Sequence, residues 1–232
     1  SQAQNNKLSI TQLDGFDNFY LYTTYKDLDG FIYPSNSMYL ITNDGVVMFD
    51  TPWDTTQFQP LCDSIQKKHN KDIILCIATH HHEDRTNGLE FLINKGVNTF
   101  SSELTLELCK EHNEKQAKYV FNTDTIFNVG GYEFEVYYPG EGHTKDNIVI
   151  WFPKQKLLYG GCFIKSTEAN NLGNMDEVNV RKWRKSAHNL LKRYPNPEMI
   201  IPGHLIWNKE ALRHTINLLK RYPNPEMIIP GH

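Results

Sequence analysis

An apolar run, Ile73-Ile74-Leu75-Cys76-Ile77-Ala78, passes without a break into Thr79-His80-His81-His82-Glu83-Asp84-Arg85. The first part reads as a strand, and the second gathers three histidines and two carboxylates where that strand must end. Strand ends are rigid, and the loops beyond them are where sites are built. His80 and His82 are two apart, so in extended chain their imidazoles share a side, and Asp84 continues that alternation into the following turn. Two nitrogens and one oxygen within five residues suit zinc. By the same alternation His81 points away and reads as a bystander.

The surrounding pattern alternates strand and helix signals. Phe19 to Tyr25 is aromatic and β-branched and runs into turn chemistry at Asp27-Leu28-Asp29-Gly30. Met38 to Thr42 and Val46 to Asp50 read as strands joined at Asn43-Asp44-Gly45, a hairpin signal. Thr55 or Thr56 is expected to cap a helix with Phe58, Leu61, Cys62 and Ile65 on one face. Leu89, Leu92 and Ile93 mark a short helix that closes at Lys95-Gly96. In the second half, strand-like stretches at 117–121, 125–129, 131–138, 147–152 and 156–160 precede a helix bearing Trp183, Ala187, Leu190 and Leu191. A strand at Glu198 to Ile201 leads into Pro202-Gly203-His204, and a last helix starts near Asn208 and runs to about Lys220. The expected fold class is α/β: two sheets face to face with helices outside, an αββα sandwich forming one domain over residues 1–220.

Composition is compatible with that core, because 39% of the 232 residues are hydrophobic. Net charge is −3 without a basic block, so nucleic acid is not an expected partner. No apolar run is long enough to span a membrane, and Ser1 to Lys7 lacks the pattern of a signal peptide. That start fits either a cytosolic protein or a mature secreted one. Cys62 and Cys76 fall on buried-looking positions and read as small core hydrophobes rather than as a bonded pair.

Three further ligand types each follow a strand-like stretch and sit beside glycine. They are His143 in Pro139-Gly140-Glu141-Gly142-His143-Thr144, Cys162 after Gly160-Gly161, and His204 after Pro202-Gly203. One such turn alone would be unremarked, but their recurrence along with the histidine cluster points to a metal centre. Residues 190–204 also recur unchanged at 218–232, which reads as a recent duplication or an artefact, with the copied tail expected to be loosely attached or disordered. His232 thus rivals His204. The helix after His204 favours the first copy, because the chain stops at His232.

Taken together, His80-x-His82-x-Asp84-Arg85, Gly142-His143-Thr144-x-Asp146-Asn147, Gly160-Gly161-Cys162-x-x-Lys165, Leu172-Gly173-Asn174 and Pro202-Gly203-His204 resemble the class B metallo-β-lactamases. The likeness is to their first subclass and runs from about Leu8 to Lys220. It implies two Zn2+ ions per chain, one held by His80, His82 and His143 and the other by Asp84, Cys162 and His204. Three neutral imidazoles leave a fourth tetrahedral position open, the mark of a catalytic zinc. The resemblance gives catalytic parts to Asp84, Lys165 and Asn174. Lys165 grips a substrate carboxylate, and Asn174 donates a hydrogen bond to the developing oxyanion. Arg85 and Asp50 are expected beneath the metals, orienting their ligands. The apolar tip Gly30-Phe31-Ile32-Tyr33-Pro34 is expected as a mobile flap, with Phe31 and Trp53 facing the substrate.

The activity so implied is hydrolysis of β-lactam amide bonds in penicillins, cephalosporins and carbapenems, by a monomeric periplasmic enzyme whose signal peptide has been removed. Other hydrolases share the fold. Thioesterase, lactonase and nuclease relatives place histidine after the motif aspartate and a bridging aspartate at the cysteine position. Arg85 and Cys162 stand there instead. A non-catalytic zinc module would close each site with four protein ligands, whereas here each set has three. Two departures from the pattern stand out: Leu205, where the family commonly has glycine, and the extra carboxylate of Glu141 close to His143.

Overall fold

The computed structural model describes residues 7–223. His232 and most of the 218–232 copy lie outside the described residues. The first half contains β1 (Leu8–Gln12), β2 (Phe19–Leu28), β3 (Phe31–Ile41), β4 (Val46–Phe49), α1 (Phe58–His69) and β5 (Ile73–Ile77). There follow α2 (Glu83–Thr86), α3 (Leu89–Asn94), β6 (Asn98–Ser102), α4 (Glu103–Glu111) and β7 (Tyr119–Phe121). These seven strands form one sheet in the order of the chain, antiparallel as far as β4 and parallel from there on. The second half contains β8 (Thr125–Val129), β9 (Tyr132–Tyr137), β10 (Val149–Phe152), β11 (Leu157–Gly161), α5 (Val180–Arg193), β12 (Met199–Pro202) and α6 (Ala211–Lys220). Strands β8 to β11 make an antiparallel meander, and β12 joins β11 in parallel after the α5 crossover.

The period-two pattern decides how the sheets stack. On the first sheet Phe19, Leu21, Met38, Leu40, Val47, Phe49, Leu75 and Ile77 face inward and meet Phe134, Val136, Ile150, Phe152, Leu157, Tyr159 and Ile201 of the second. Their alternates turn outward under helices. Tyr22, Tyr39, Met48 and Cys76 pack with Leu61 and Ile65 of α1, and Val149, Leu158 and Ile200 pack with Trp183 and Leu190 of α5. The result is the expected αββα arrangement. Trp183, Ala187 and Leu190 are buried as expected, while Leu191 is only partly so.

Several boundaries differ from the sequence reading. The turn after β2 narrows to Asp29 and Gly30, with φ of 53° and 90°, so Leu28 pairs with Phe31 and β2 and β3 form one long hairpin. Pro34 fits in β3 because it sits where that strand runs past β4, so the missing N–H interrupts no ladder on that side. Asp54, not a threonine, caps the turn before α1: its carboxylate accepts from the Thr56 N–H at 2.9 Å. Helix α6 starts three residues later than Asn208, at Ala211. Strands β1 and β6 and helix α4 were not read from the sequence. All four cysteines are free.

Where the copied segment begins, it belongs to the packed fold. Leu218 and Leu219 are buried under the second sheet, and Arg184 Nε donates to the Leu219 carbonyl at 2.9 Å.

Candidate metal centre

The ends of β5, β11 and β12 and the β9–β10 loop meet at one edge of the sandwich. Backbone hydrogen bonds hold them there: Ile148 N to Thr79 O at 3.0 Å, Gly203 N to Gly161 O at 2.8 Å, and Asn36 N to Gly203 O at 2.7 Å. Gly203 has no alternative residue, since a Cβ on it would lie 2.7 Å from Cys162 Sγ and 2.8 Å from Cys162 N.

His80, His82 and His143 bring their ring centroids within 4.8 to 5.2 Å of one another. Their ligand atoms all lie within 4.8 Å. Burial, followed by the neighbouring imidazoles, holds His80 and His143 well below the usual histidine range, so both are neutral lone-pair donors. His80 Nε2 and His143 Nδ1 are buried without a hydrogen-bond partner among the described residues. Buried polar atoms are rarely left so, and an open set of neutral imidazoles is what a divalent metal would satisfy. His82 Nε2 contacts Glu177, which leaves its Nδ1 for the triad.

Asp84, on the first turn of α2, meets Cys162 and His204. Asp84 Oδ2 lies 3.3 Å from His204 Nε2 and 3.4 Å from Cys162 Sγ, and Sγ is 3.4 Å from the same nitrogen. Donors around a tetrahedral zinc stand about 3.3–3.7 Å apart for bond lengths of 2.0–2.3 Å. His204 Nδ1 donates to the Pro34 carbonyl at 2.7 Å, which orients Nε2 toward the other two donors. Burial pushes the Cys162 thiol up despite Arg85, so a thiolate there needs a strong cationic partner. The two sets adjoin, with His80 Nε2 3.9 Å from Asp84 Oδ1.

Beneath the second set lies a buried guanidinium. Arg85 donates to Asp84 Oδ2 at 3.1 Å, the Asn36 carbonyl at 2.6 Å, the Gly203 carbonyl at 3.0 Å, Ser35 Oγ at 3.1 Å and Asp50 Oδ2 at 3.4 Å. Asp50 accepts from Thr79 N at 2.7 Å and the Tyr159 hydroxyl at 2.7 Å. For Asp84, burial works against ionisation, but Arg85, His204 and His80 outweigh it and hold the carboxyl well below its usual range. Arg85 and Asp50 thus lie in one buried network that reaches Asp84.

Residues 31–204 match the metallo-beta-lactamase superfamily. The chain belongs to that family. It is 44% identical over 201 residues to a metallo-beta-lactamase type 2 from Elizabethkingia meningoseptica, covering 86% of this chain and 81% of the relative. It is 41% identical to metallo-beta-lactamase IND-1 of Chryseobacterium indologenes, over 86% of this chain and 84% of that one. A solved metallo-beta-lactamase from Pontibacter korlensis superposes with a TM-score of 0.89 at 35% identity, over 93% of this chain and all of the other. In this metallo-β-lactamase the second donor set carries cysteine, as the first-subclass likeness implied.

The remaining expected residues are more dispersed. Lys165 is half-buried; its Nζ lies 5.9 Å from the Trp183 ring, and among the described residues no carboxylate is within ion-pair distance. Burial lowers its pKa. Asn174 is exposed, and its Oδ1 accepts from Asp176 N at 3.0 Å, so only its amide N–H groups remain for a ligand. Phe31 is 64% exposed on the hairpin tip beside Ile32 at 55%. Trp53 donates to Glu83 at 3.2 Å under Lys26. Glu141 is drawn to Lys182 at 2.7 Å instead of the metal side. His81 was expected to point away as a bystander, but it is buried, its Nδ1 faces Asp146 at 2.9 Å, and its ring lies 4.6 Å from that of His82. Glu177, Ser35, Asn36 and Tyr159 escaped the sequence reading. They contribute single side chains from remote segments, without a local pattern to reveal them.

Proposed function

We propose that this metallo-β-lactamase is a zinc-dependent β-lactamase that opens penicillins, cephalosporins and carbapenems and so confers antibiotic resistance. The observation that carries the reading is the pair of adjoining three-donor sets, 3.9 Å apart at His80 and Asp84, each short of a closed tetrahedral site. His80, His82 and His143 would hold one Zn2+, and Asp84, Cys162 and His204 the other. When bound, zinc supplies Lewis acidity for a carbonyl or leaving nitrogen and makes water a nucleophile at neutral pH.

The chain's own residues orient the substrate around that chemistry. Lys165 has no carboxylate partner among the described residues and offers its ammonium to the substrate carboxylate. The Asn174 amide donates toward the oxyanion that forms as the lactam carbonyl is attacked. Phe31 and Trp53 supply apolar surface for the substrate's side group, the hairpin tip acting as a flap. Arg85 offsets the negative charge that Asp84, Asp50 and a Cys162 thiolate would otherwise pile up.

Relatives named metallo-beta-lactamases from bacteria support this reading. No helix of the described residues is long and apolar enough to cross a membrane. A monomeric periplasmic enzyme is part of the proposal and is checked by gel filtration and by fractionating the host cell. The activity test is hydrolysis of a carbapenem and a penicillin by purified protein, before and after EDTA, with zinc then restored. Turnover that EDTA abolishes and zinc restores is expected. Bound zinc with no lactam opened would transfer the centre to a thioester or lactone hydrolase.

A further inference from the structure

Behind the metal centre, His81 opens a separate cluster. Its side chain is 1% exposed, and its Nδ1 stands 2.9 Å from Asp146 Oδ1. Asp146 is buried too, and also accepts from Thr105 Oγ1 at 2.8 Å. An ionised carboxylate only accepts, so this contact fixes a proton on Nδ1 and turns Nε2 to the opposite side of the ring. That Nε2 is buried without a hydrogen-bond partner among the described residues.

What Nε2 faces is a second imidazole and a carboxylate. Glu177 Oε2 is 3.2 Å away, a hydrogen-bonding separation without the alignment of a hydrogen bond. Glu177 Oε1 is 3.5 Å from His112 Nε2. The His81 and His112 rings are 4.8 Å apart and inclined by 31°. One donor atom from each of the three residues lies within 4.8 Å of the others. Neighbouring donors of a tetrahedral zinc stand about 3.3–3.6 Å apart when its N and O bonds are 2.0–2.2 Å. The two Glu177 oxygens stand 3.2 Å from His81 Nε2 and 3.5 Å from His112 Nε2, the first just below that range and the second just inside it. The carboxylate of Asp146 sits behind His81 as one commonly sits behind a metal-bound imidazole.

The geometry points to a third metal site, formed by His81, His112 and Glu177 and taking zinc, distinct from the two donor sets of the catalytic centre. Two imidazoles and a carboxylate select a borderline cation over magnesium or calcium. The site joins three segments: the end of β5, the residue after α4, and the loop before α5 that carries Asn174. Because Glu177 also contacts His82, an ion there would fasten that loop against the back of the first donor set.

The test counts metal rather than activity. The whole chain is stripped with a chelator, dialysed against excess zinc, and its zinc measured by inductively coupled plasma mass spectrometry. His112→Ala is the variant, since that side chain is 42% exposed and its loss spares the core. Wild type is expected to hold one equivalent more than His112→Ala. Crystals at the zinc edge should show an anomalous peak between His81, His112 and Glu177. Equal zinc content in the two proteins, or no such peak, overturns the proposal and leaves an ion pair between His81 and Glu177. A failure of the β-lactamase reading would show separately, as absent turnover with the one-equivalent difference intact.

Discussion

The two catalytic donor sets are built on opposite principles. Burial holds His80 and His143 neutral, each has a buried nitrogen with no hydrogen-bond partner among the described residues, and Glu177 contacts His82 from behind. Asp84, Cys162 and His204 instead rest on a buried charged network of Arg85, Asp50 and Tyr159. The first set needs little support, because uncharged imidazoles are cheap to bury. The second collects negative charge in a dry place and is tolerable only with a fixed cation below it. The difference predicts that mutations beneath the second set damage folding, while mutations in either set damage metal binding and turnover.

The largest effect expected is from Arg85→Met. It removes donors to Asp84, Asp50, Ser35 and two carbonyls at once and strands buried carboxylates, a loss of about 3–5 kcal/mol of stability. Urea unfolding of the metal-free protein measures it. A loss under 1 kcal/mol would break the comparison by showing that the network is not structural. Next comes Cys162→Ser, which keeps the fold but removes the soft ligand. A drop in kcat/KM of at least about 100-fold is expected, since even outer groups around a metal are worth 10–100-fold. A fully active protein that still binds zinc in the second set would sink the site assignment. His143→Ala, in the first set, should lose zinc and turnover with a melting temperature close to wild type in the metal-free state.

Legibility in the sequence followed the same divide. Aromatic and β-branched stretches marked strands of both sheets, such as Phe19 to Tyr25 and 147–152; in the structure Phe19/Leu21 and Ile150/Phe152 face the core while Tyr20/Tyr22 and Val149/Trp151 face the helices. The candidate donors drew notice for two reasons: His80, His82 and Asp84 alternate beyond one strand, and His143, Cys162 and His204 each follow a strand-like stretch beside glycine. What was hidden is what one segment lends another. Glu177 sits in a loop without pattern, 95 positions from the His82 it touches. Ser35 and Asn36 lie in β3 between the flap expected at Gly30 to Pro34 and the strand expected from Met38, where the sequence reading assigned nothing. Strand β6 and α4 escaped because Asn98–Ser102 is polar and short, yet α4 delivers His112 to the side of His81. Alternation said nothing of the surroundings of His81, which are Asp146, Glu177 and His112.

Tyr159→Phe sharpens the comparison at intermediate scale. Its hydroxyl donates to Asp50 Oδ2 at 2.7 Å and accepts from Arg85 at 3.3 Å, all fully buried. Removing it leaves Asp50 short of one donor, for a loss of about 1–2 kcal/mol in urea unfolding of the metal-free protein. Zinc binding by the histidine triad should be unchanged. A matching loss of affinity in both sets would show that the network supports the whole centre, not only its charged half.

The smallest effect is placed at Leu205, directly after His204. Its φ is 66°, a left-handed conformation that costs a leucine about 1–2 kcal/mol and glycine almost nothing. The strain is held by the neighbouring network, since Asn36 Nδ2 donates to the Leu205 carbonyl at 2.6 Å. Leu205→Gly relieves the backbone but adds about 0.4–1 kcal/mol of unfolded-chain freedom. The balance favours glycine by under about 1 kcal/mol, a rise in melting temperature of about 1–3 °C for a chain this long. Differential scanning calorimetry of the zinc-loaded proteins reads it. A rise places strain specifically on the charged side of the centre, where His204 is presented. A fall would mean that the half-buried leucine side chain contributes more packing than its backbone loses, and that the charged set is held without strain.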